Sequence, residues 1–210
     1  MSVAIAQKTT AKPHYTYADY ATWPDYPRFE LINGEAFKMG APSEAHQAVL
    51  IALSSIFWNF LRGKQCRVYM APFDVRINFD TTDDTVVQPD LVVICDRSKL
   101  ENGKHCLGVP DLAVEILSES NMRHDKIRKF NVYLNAGVRE YWIIDPHSRA
   151  VEVYLLENGK YHVAHYDDTS KIPVSVLDGF EVDMAEVFED MILEAPVNND
   201  SNAGPAVFTE

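Results

Sequence analysis

The segment VVQPDLVVI, residues 86–94, is followed by VPDLAVEILSES, residues 109–120, and by NMRHDKIRKFNVY, residues 121–133. The first two segments are short, rich in Val, Ile and Leu, and bounded by Pro, Asn or Gly, which is typical of buried β-strands. Each carries an isolated acid, Asp90 or Glu115. A carboxylate in a buried strand is costly unless a metal or a cation pairs with it. The third segment is basic and helix-like, so we interpret the stretch as a metal site with a lysine nearby.

The flanking sequence predicts an α/β (α+β) fold with one mixed central β-sheet and helices packed on it. The dipeptide Asn33-Gly34 lies between two alternating segments and predicts a β-hairpin, and Asn158-Gly159 predicts another. Apolar residues at spacings of three and four predict a long helix over residues 43–62. A second helix, capped by Ser120 or Asn121, is expected to end near Ala136. Its core face is expected to consist of three apolar residues: Ile127, Phe130 and Leu134.

Composition predicts one domain over residues 15–194, between disordered ends at residues 1–14 and 195–210. The chain of 210 residues has 47% hydrophobic residues, which suffices for a core without disulfides or structural metal. No apolar run approaches the roughly 20 residues that span a bilayer, so no membrane partner is expected.

The three cysteines show no metal-binding spacing, and we interpret Cys66, Cys95 and Cys106 as free or buried thiols of a cytoplasmic protein. The net charge of −12 argues against a protein that coats DNA. Nine acids and no Lys or Arg follow Lys171, so the rest of the chain is much closer to neutral. Local potential, rather than total charge, steers a polyanion to a site.

Several candidate residues also have ordinary structural explanations. Glu30 could be a solvent-exposed glutamate on an edge strand. His46 lies on the first turn of an apolar helix face, where a partly buried structural histidine is the simpler explanation. Glu115 could be a partnered buried acid or could lie at the edge of the sheet. Lys129 follows Asp125 at a spacing of four, which fits an exposed helical ion pair.

Hard divalent cations such as Mg²⁺ prefer oxygen ligands and keep several waters, so one or two carboxylates suffice at a phosphate-cleaving site. If the strands of Asp90 and Glu115 are neighbours, their carboxylates can lie close together. A lysine directed at them from the helix could stabilise charge that develops on a phosphate.

Taken together, the motifs resemble those of the Uma2 family, which is numerous in cyanobacteria and placed in the PD-(D/E)xK restriction-endonuclease-like superfamily. The resemblance rests on six motifs in this order: FELINGE (29–35), PSEAH (42–46), QPD (88–90), PDLAVEILS (110–118), D-x-x-x-K-x-x-x-Y (125–133) and GVREYWIID (137–145). It implies a restriction-endonuclease-like mixed sheet flanked by helices and a Mg²⁺- or Mn²⁺-dependent phosphodiesterase site.

The resemblance implies Asp90, Glu115 and Glu30 as metal ligands and Lys129 as the catalytic lysine. Leu117 stands where the broad superfamily pattern has lysine, and Uma2-like sequences carry that lysine on the following helix. Four accessory residues are also expected: His46, Gln88, Lys126 and Tyr133.

We therefore expect a metal-dependent DNA endonuclease, acting as a homodimer because two strands must be cut. One alternative is a non-catalytic nucleic-acid- or protein-binding module on a nuclease scaffold. Another is a structural domain whose acids all pair with arginines, which would need Arg76, Arg123 or Arg139 beside them.

Overall fold

A computed structural model describes residues 13–118, 124–189 and 191, and describes only the backbone of residues 124–126. In this part of the chain the helices are α1 (Tyr17–Tyr20), α2 (Glu44–Leu61), α3 (His124–Ala136) and α4 (Met184–Phe188). The strands are β1 (Phe29–Ile32), β2 (Glu35–Lys38), β3 (Arg67–Met70), β4 (Val75–Arg76), β5 (Val86–Val87), β6 (Leu91–Ile94), β7 (Cys106–Leu107), β8 (Leu112–Ile116), β9 (Glu140–Asp145), β10 (Ala150–Glu157), β11 (Lys160–Tyr166), β12 (Lys171–Pro173) and β13 (Glu181–Asp183).

The strands form three sheets rather than the single sheet that was predicted. A six-stranded sheet has the order β11-β10-β9-β8-β6-β3, and only its β8–β9 pair is parallel. A five-stranded sheet has the order β2-β1-β5-β4-β7, and β12 pairs with β13 alone. The predicted class, mixed α and β with helices flanking a mixed sheet, is confirmed, but the second large sheet was not expected.

Most of the predicted ends fall outside the described part of the chain. Of the termini predicted to be disordered, only Pro13 and His14 are described. The predicted caps of α3, Ser120 or Asn121, also lie outside the described residues.

Local sequence determines the first hairpin and the long helix. Asn33 and Gly34 adopt φ angles of 50° and 77°, as a tight two-residue turn requires, and β1 pairs with β2 across them. Ser43 caps α2 because its side chain accepts a hydrogen bond from the His46 amide at 3.3 Å. The buried face of α2 follows the predicted stripe: His46, Val49, Leu50, Leu53, Phe57 and Leu61.

The segment predicted as one strand over residues 86–94 is divided between two sheets. β5 belongs to the five-stranded sheet and β6 to the six-stranded sheet. Pro89 lies between them, and a proline has no N–H to continue a ladder of hydrogen bonds. The chain therefore crosses between the sheets at Gln88-Pro89-Asp90, which places polar side chains where the two sheets meet.

Of the residues predicted to form the core face of α3, Phe130 packs against the core, whereas Ile127 does not. Ile127 is 65% exposed, whereas Lys129, Val132 and Tyr133 are buried. The prediction gave apolar residues the inner positions, but the inner face of α3 covers carboxylates of the sheet as well as apolar side chains.

The six-stranded sheet is covered on both faces. On one face it packs against α2 and α4 around Phe57 and Trp142. On the other face it packs against α3 and the five-stranded sheet, around Val87, Tyr133 and Tyr141. Glu30, Glu115 and Lys129, all buried, lie on β1, β8 and α3, so one polar cluster draws on both sheets and a helix.

Cys66 and Cys95 form a disulfide, which corrects the prediction of free thiols. Arg67 opposes Ile94 in the β3–β6 ladder, so the two cysteines are the next opposed pair. Opposed residues of antiparallel strands have Cβ atoms about 4.5–5.5 Å apart, close to the reach of a disulfide. The two cysteines are 29 residues apart in sequence, and no local sequence pattern predicts their pairing. Cys106 is free and buried, as predicted.

Candidate active site

A buried ammonium group lies at the centre of the candidate site. Lys129 Nζ is 2.9 Å from Glu30 Oε1 and 2.9 Å from Glu115 Oε2. All three side chains are buried. A buried ion survives only when charges and hydrogen bonds compensate its loss of water, and here two carboxylates do so. The alternative explanation of Lys129 as part of an exposed ion pair is therefore wrong, and so is the alternative of Glu30 as a solvent-exposed glutamate.

Asp90 lies beside Glu115, as the sequence predicted. Strands β6 and β8 are neighbours, and Leu91 opposes Val114, so the same register sets Asp90 opposite Glu115. Asp90 Oδ2 accepts a hydrogen bond from the Ile116 amide at 2.7 Å. Its other oxygen, Oδ1, is 3.1 Å from His46 Nε2. Both oxygens of Asp90 are thus fixed by partners from different elements.

Two further residues predicted as accessory hold the glutamates in place. The Tyr133 hydroxyl donates to Glu115 Oε1 at 2.6 Å. The backbone N–H of Gln88 donates to Glu30 Oε1 at 2.7 Å. His46 also belongs to the cluster through its contact with Asp90. Lys126 cannot be placed in the site, because its side chain lies outside the described residues.

The pKa values of the cluster reflect burial and excess negative charge. Burial raises the pKa of Glu115 to about 8, and Asp90 and Glu30 act in the same direction, while Lys129 opposes them. Burial alone would lower the pKa of Lys129, but Glu115, Glu30 and Asp90 outweigh it and the pKa is raised. Burial also raises the pKa of Tyr133. Lys129 is therefore charged, and Tyr133 is a hydrogen-bond donor, at neutral pH.

The donor set fits a hard divalent cation. Three of the four carboxylate oxygens of Asp90 and Glu115 accept a hydrogen bond, and the fourth, Asp90 Oδ1, lies 3.1 Å from His46 Nε2. Each oxygen has a second lone pair. No group of three or more His, Cys, Asp or Glu side chains suited to a metal is found in the part of the chain that the structure describes. A metal here would bind to two carboxylates and water, as Mg²⁺ commonly does, rather than to a cage of three acids.

A cavity of about 450 Å³ opens over the cluster. The site residues Glu30, His46, Gln88, Asp90, Glu115 and Lys129 line it. The β2–α2 connection and the turn after β3 form its walls, and Arg28 and Lys38 contribute positive charge. This volume is within the usual range for a ligand pocket, about 300–1,000 Å³.

The alternative in which arginines neutralise the acids finds no support in the described residues. Arg76 pairs with Asp83 and Arg139 with Asp111. Arg123 lies outside the described residues.

Sequence reasoning missed Arg28, Tyr20 and Asp74. The Gln88 side chain donates to Asp74 Oδ1 at 2.8 Å and to the Tyr20 hydroxyl at 3.2 Å. Arg28 directly precedes β1, and an alternation that assigned Glu30 to the site would also have assigned Arg28 to the same face.

None of the helices that the structure describes is both long and apolar enough to span a membrane.

Comparison with known proteins agrees with the motif pattern. A model of the Uma2 family, described as "Putative restriction endonuclease", matches residues 17–185. Two similar proteins come from Synechocystis sp.: "Uncharacterized protein slr1290" is 25% identical over 82% of this chain and 91% of its own length, and "Uncharacterized protein sll1609" is 27% identical over 73% and 84%.

A similar solved structure is a "putative nuclease belonging to DUF820" from Anabaena variabilis. It has a TM-score of 0.70 at 20% identity, and the match covers 85% of this chain and 99% of that one. At this identity the likeness shows a shared fold.

Proposed function

Because this chain belongs to the Uma2 family, we propose that it is a metal-dependent endonuclease that hydrolyses DNA phosphodiester bonds at the Asp90–Glu115–Lys129 cluster. The observation that carries the proposal is the buried Lys129 ammonium, which lies in a cavity between two carboxylates and beside a third. A structural ion pair needs neither the third acid nor the cavity.

Asp90 and Glu115 would hold Mg²⁺ or Mn²⁺ through their remaining lone pairs. The ion, when bound, supplies Lewis-acid polarisation and a more acidic water. His46 and the Ile116 amide fix the orientation of Asp90, and Tyr133 fixes that of Glu115. These contacts preorganise the ligands before any cation arrives.

Lys129 would stabilise the negative charge that grows on the phosphate oxygens as water attacks phosphorus and the bond to the leaving sugar oxygen breaks. Its raised pKa keeps it charged at neutral pH. Preorganised donors of this kind are worth about 10²- to 10³-fold in rate. Glu30 is a second carboxylate partner of Lys129, so it acts as a positioning residue.

The test is incubation of the purified protein with supercoiled, linear and branched DNA in Mg²⁺, Mn²⁺ or EDTA. We expect cleavage only with metal, and a rate at least about 10²-fold lower for Lys129→Ala. Lys104→Ala removes an exposed lysine and should cleave like wild type. Metal-independent cleavage, or equal rates in the two variants, would contradict the proposal.

One observation favours the rival, a non-catalytic binding module. Lys129 already occupies the space between Glu30 and Glu115, which would serve a fixed structural core equally well. The rival predicts DNA or protein binding without cleavage and without metal dependence.

We also propose a homodimer, because cutting both strands of a duplex needs two sites. Ile51 and Trp58, 61% and 54% exposed, lie seven residues apart on the outer face of α2 and offer an apolar surface. Light scattering at micromolar concentration should give twice the chain mass, and a monomer would remove this proposal.

A further inference from the structure

Two cationic side chains that line the cavity, Lys129 and Arg28, have different partners. Lys129 is bonded to two acids. Arg28 also lines the cavity, but the one partner it has among the described residues is the neutral Gln88 Oε1, at 3.5 Å from its Nη1. A guanidinium carries five N–H donors and stays charged in proteins. Most of the donors of Arg28 therefore have no partner within the described part of the chain and can serve a ligand.

Strand geometry places Arg28 next to the cluster. It precedes Glu30 by two residues, so both side chains lie on one face, about 7 Å apart along the chain. Glu30 contacts Lys129 on that face. A group bound over Lys129 is thus within reach of the long arginine side chain.

Gln88 fixes the position of Arg28. Its side chain is buried, and its Nε2 atom donates to Asp74 and Tyr20, so Oε1 is turned toward Arg28. Its backbone N–H holds Glu30. One residue therefore orients both an acid of the cluster and the arginine.

The charge of the cavity indicates what this arginine binds. Three acidic side chains line the cavity and Lys129 already pairs with two of them, so an anionic substrate needs a further cation at the cavity wall. Arginine matches phosphate oxygens with two parallel hydrogen bonds. We propose that Arg28, presented by Gln88, is the residue that binds a phosphate group of the substrate beside the bond to be cleaved. The identity of that substrate as a nucleic acid rests on the proposed function.

The test measures binding separately from cleavage. A fluorescein-labelled 12-residue oligothymidylate is titrated with the full-length protein in EDTA at low salt, and inorganic phosphate is added as competitor. Arg28→Gln should weaken binding about 10- to 100-fold, as expected for a lost charged hydrogen bond. Arg28→Lys keeps the positive charge but loses the paired N–H donors of the guanidinium. Its affinity for the oligonucleotide should lie between those of wild type and Arg28→Gln. Lys104→Ala is the control, because it removes an exposed lysine that does not line the cavity and should change binding less than about threefold.

Equal losses in Arg28→Gln and Lys104→Ala would overturn the inference, since only general positive potential would then matter. Absence of saturable binding by wild type, or of competition by phosphate, would also overturn it. Cleavage assays in Mg²⁺ separate the two proposals. If no protein cleaves DNA but Arg28→Gln still binds the oligonucleotide weakly, the proposed function fails and the phosphate site stands. If wild type cleaves DNA and Arg28→Gln binds the oligonucleotide like wild type, the proposed function stands and the phosphate site fails.

Discussion

Two buried glutamates on neighbouring strands, Glu115 of β8 and Glu140 of β9, are stabilised by different kinds of partner. Both are buried, at 9% and 0% exposure, and burial raises the pKa of each. Glu140 opposes Leu112 in the parallel ladder, and Leu112 is an odd number of residues from Glu115 along β8. The carboxylates of Glu115 and Glu140 therefore lie on opposite faces of the sheet.

Their partners separate a structural acid from a candidate functional one. Glu140 accepts hydrogen bonds from Trp142 Nε1 at 2.7 Å and from the Val176 amide at 3.0 Å, both neutral donors within the core. Glu115 is bonded to a lysine and a tyrosine and lines a cavity. A buried acid alone is therefore no sign of activity, and the charged partner and open space beside Glu115 are what distinguish it.

The largest expected difference is in the rate of DNA cleavage. Glu115→Gln should lower it by about 10²-fold or more, because a neutral amide is a poor metal ligand and no longer complements Lys129. Glu140→Gln should stay within about threefold of wild type, since that residue does not line the cavity. Single-turnover cleavage of one DNA substrate in Mg²⁺ measures both, and similar losses would erase the distinction.

For stability the order should be reversed, with Glu140→Gln more destabilised than Glu115→Gln. In Glu140→Gln an amide NH₂ must face the Trp142 or Val176 N–H, which leaves buried donors unpaired at a cost of about 1–3 kcal/mol. Glu115→Gln should cost less, because Glu30 still pairs with the Lys129 ammonium and the Tyr133 hydroxyl can rotate and accept from the new amide. Urea unfolding at pH 7 in EDTA checks this, and a larger loss for Glu115→Gln would contradict it.

The pH dependence of stability should also differ. The pKa of Glu115 rises from 4.5 to about 8 on folding, so between these values the folded state keeps a proton that the unfolded chain has lost. Stability therefore falls as pH rises across this window, by at most about 1.4 kcal/mol per pH unit for one group. The raised pKa of Lys129 acts only above about 10.5.

Urea unfolding at pH 5, 6, 7 and 8 in EDTA measures that slope. The slope should be shallower in Glu115→Gln than in wild type. A smaller slope of the same sign should remain, because the pKa of Glu140 is also raised. Parallel curves for wild type and Glu115→Gln would show that Glu115 keeps an ordinary pKa in the fold.

Features with a local chemical cause could be predicted from the sequence. The Asn33-Gly34 turn and the Ser43 cap are each determined by a few neighbouring residues. The neighbouring positions of Asp90 and Glu115 also followed, since two short apolar runs close in sequence commonly pair.

Features that depend on long-range pairing could not be predicted. The division of residues 86–94 between two sheets depends on β1, more than 50 residues earlier in the chain. The inner face of α3 presents Lys129 because it covers acids from β1 and β8. The Cys66–Cys95 pair depends on the register of β3 and β6.

The smallest expected change in stability concerns Tyr133. Its hydroxyl is a neutral donor to Glu115, as the Trp142 and Val176 N–H groups are to Glu140. Tyr133→Phe removes the hydroxyl that donates to Glu115 Oε1 at 2.6 Å. Stability should fall by about 1 kcal/mol, the usual net value of one hydrogen bond, because Lys129 still pairs with the carboxylate. The hydroxyl also lowers the pKa of Glu115, so its loss should extend the decline of stability to higher pH.

Tyr161→Phe is the matched control for this prediction. It deletes a hydroxyl that donates to the neutral carbonyl of Val138 at 2.8 Å, outside the residues that line the cavity. Both variants should lose similar stability in urea, but only Tyr133→Phe should alter the pH profile and slow cleavage, because only Tyr133 orients a proposed metal ligand. If the two variants behave alike in all three measurements, the Tyr133 hydroxyl is structural, and Glu115 resembles Glu140 more closely than the cavity and the lysine indicate.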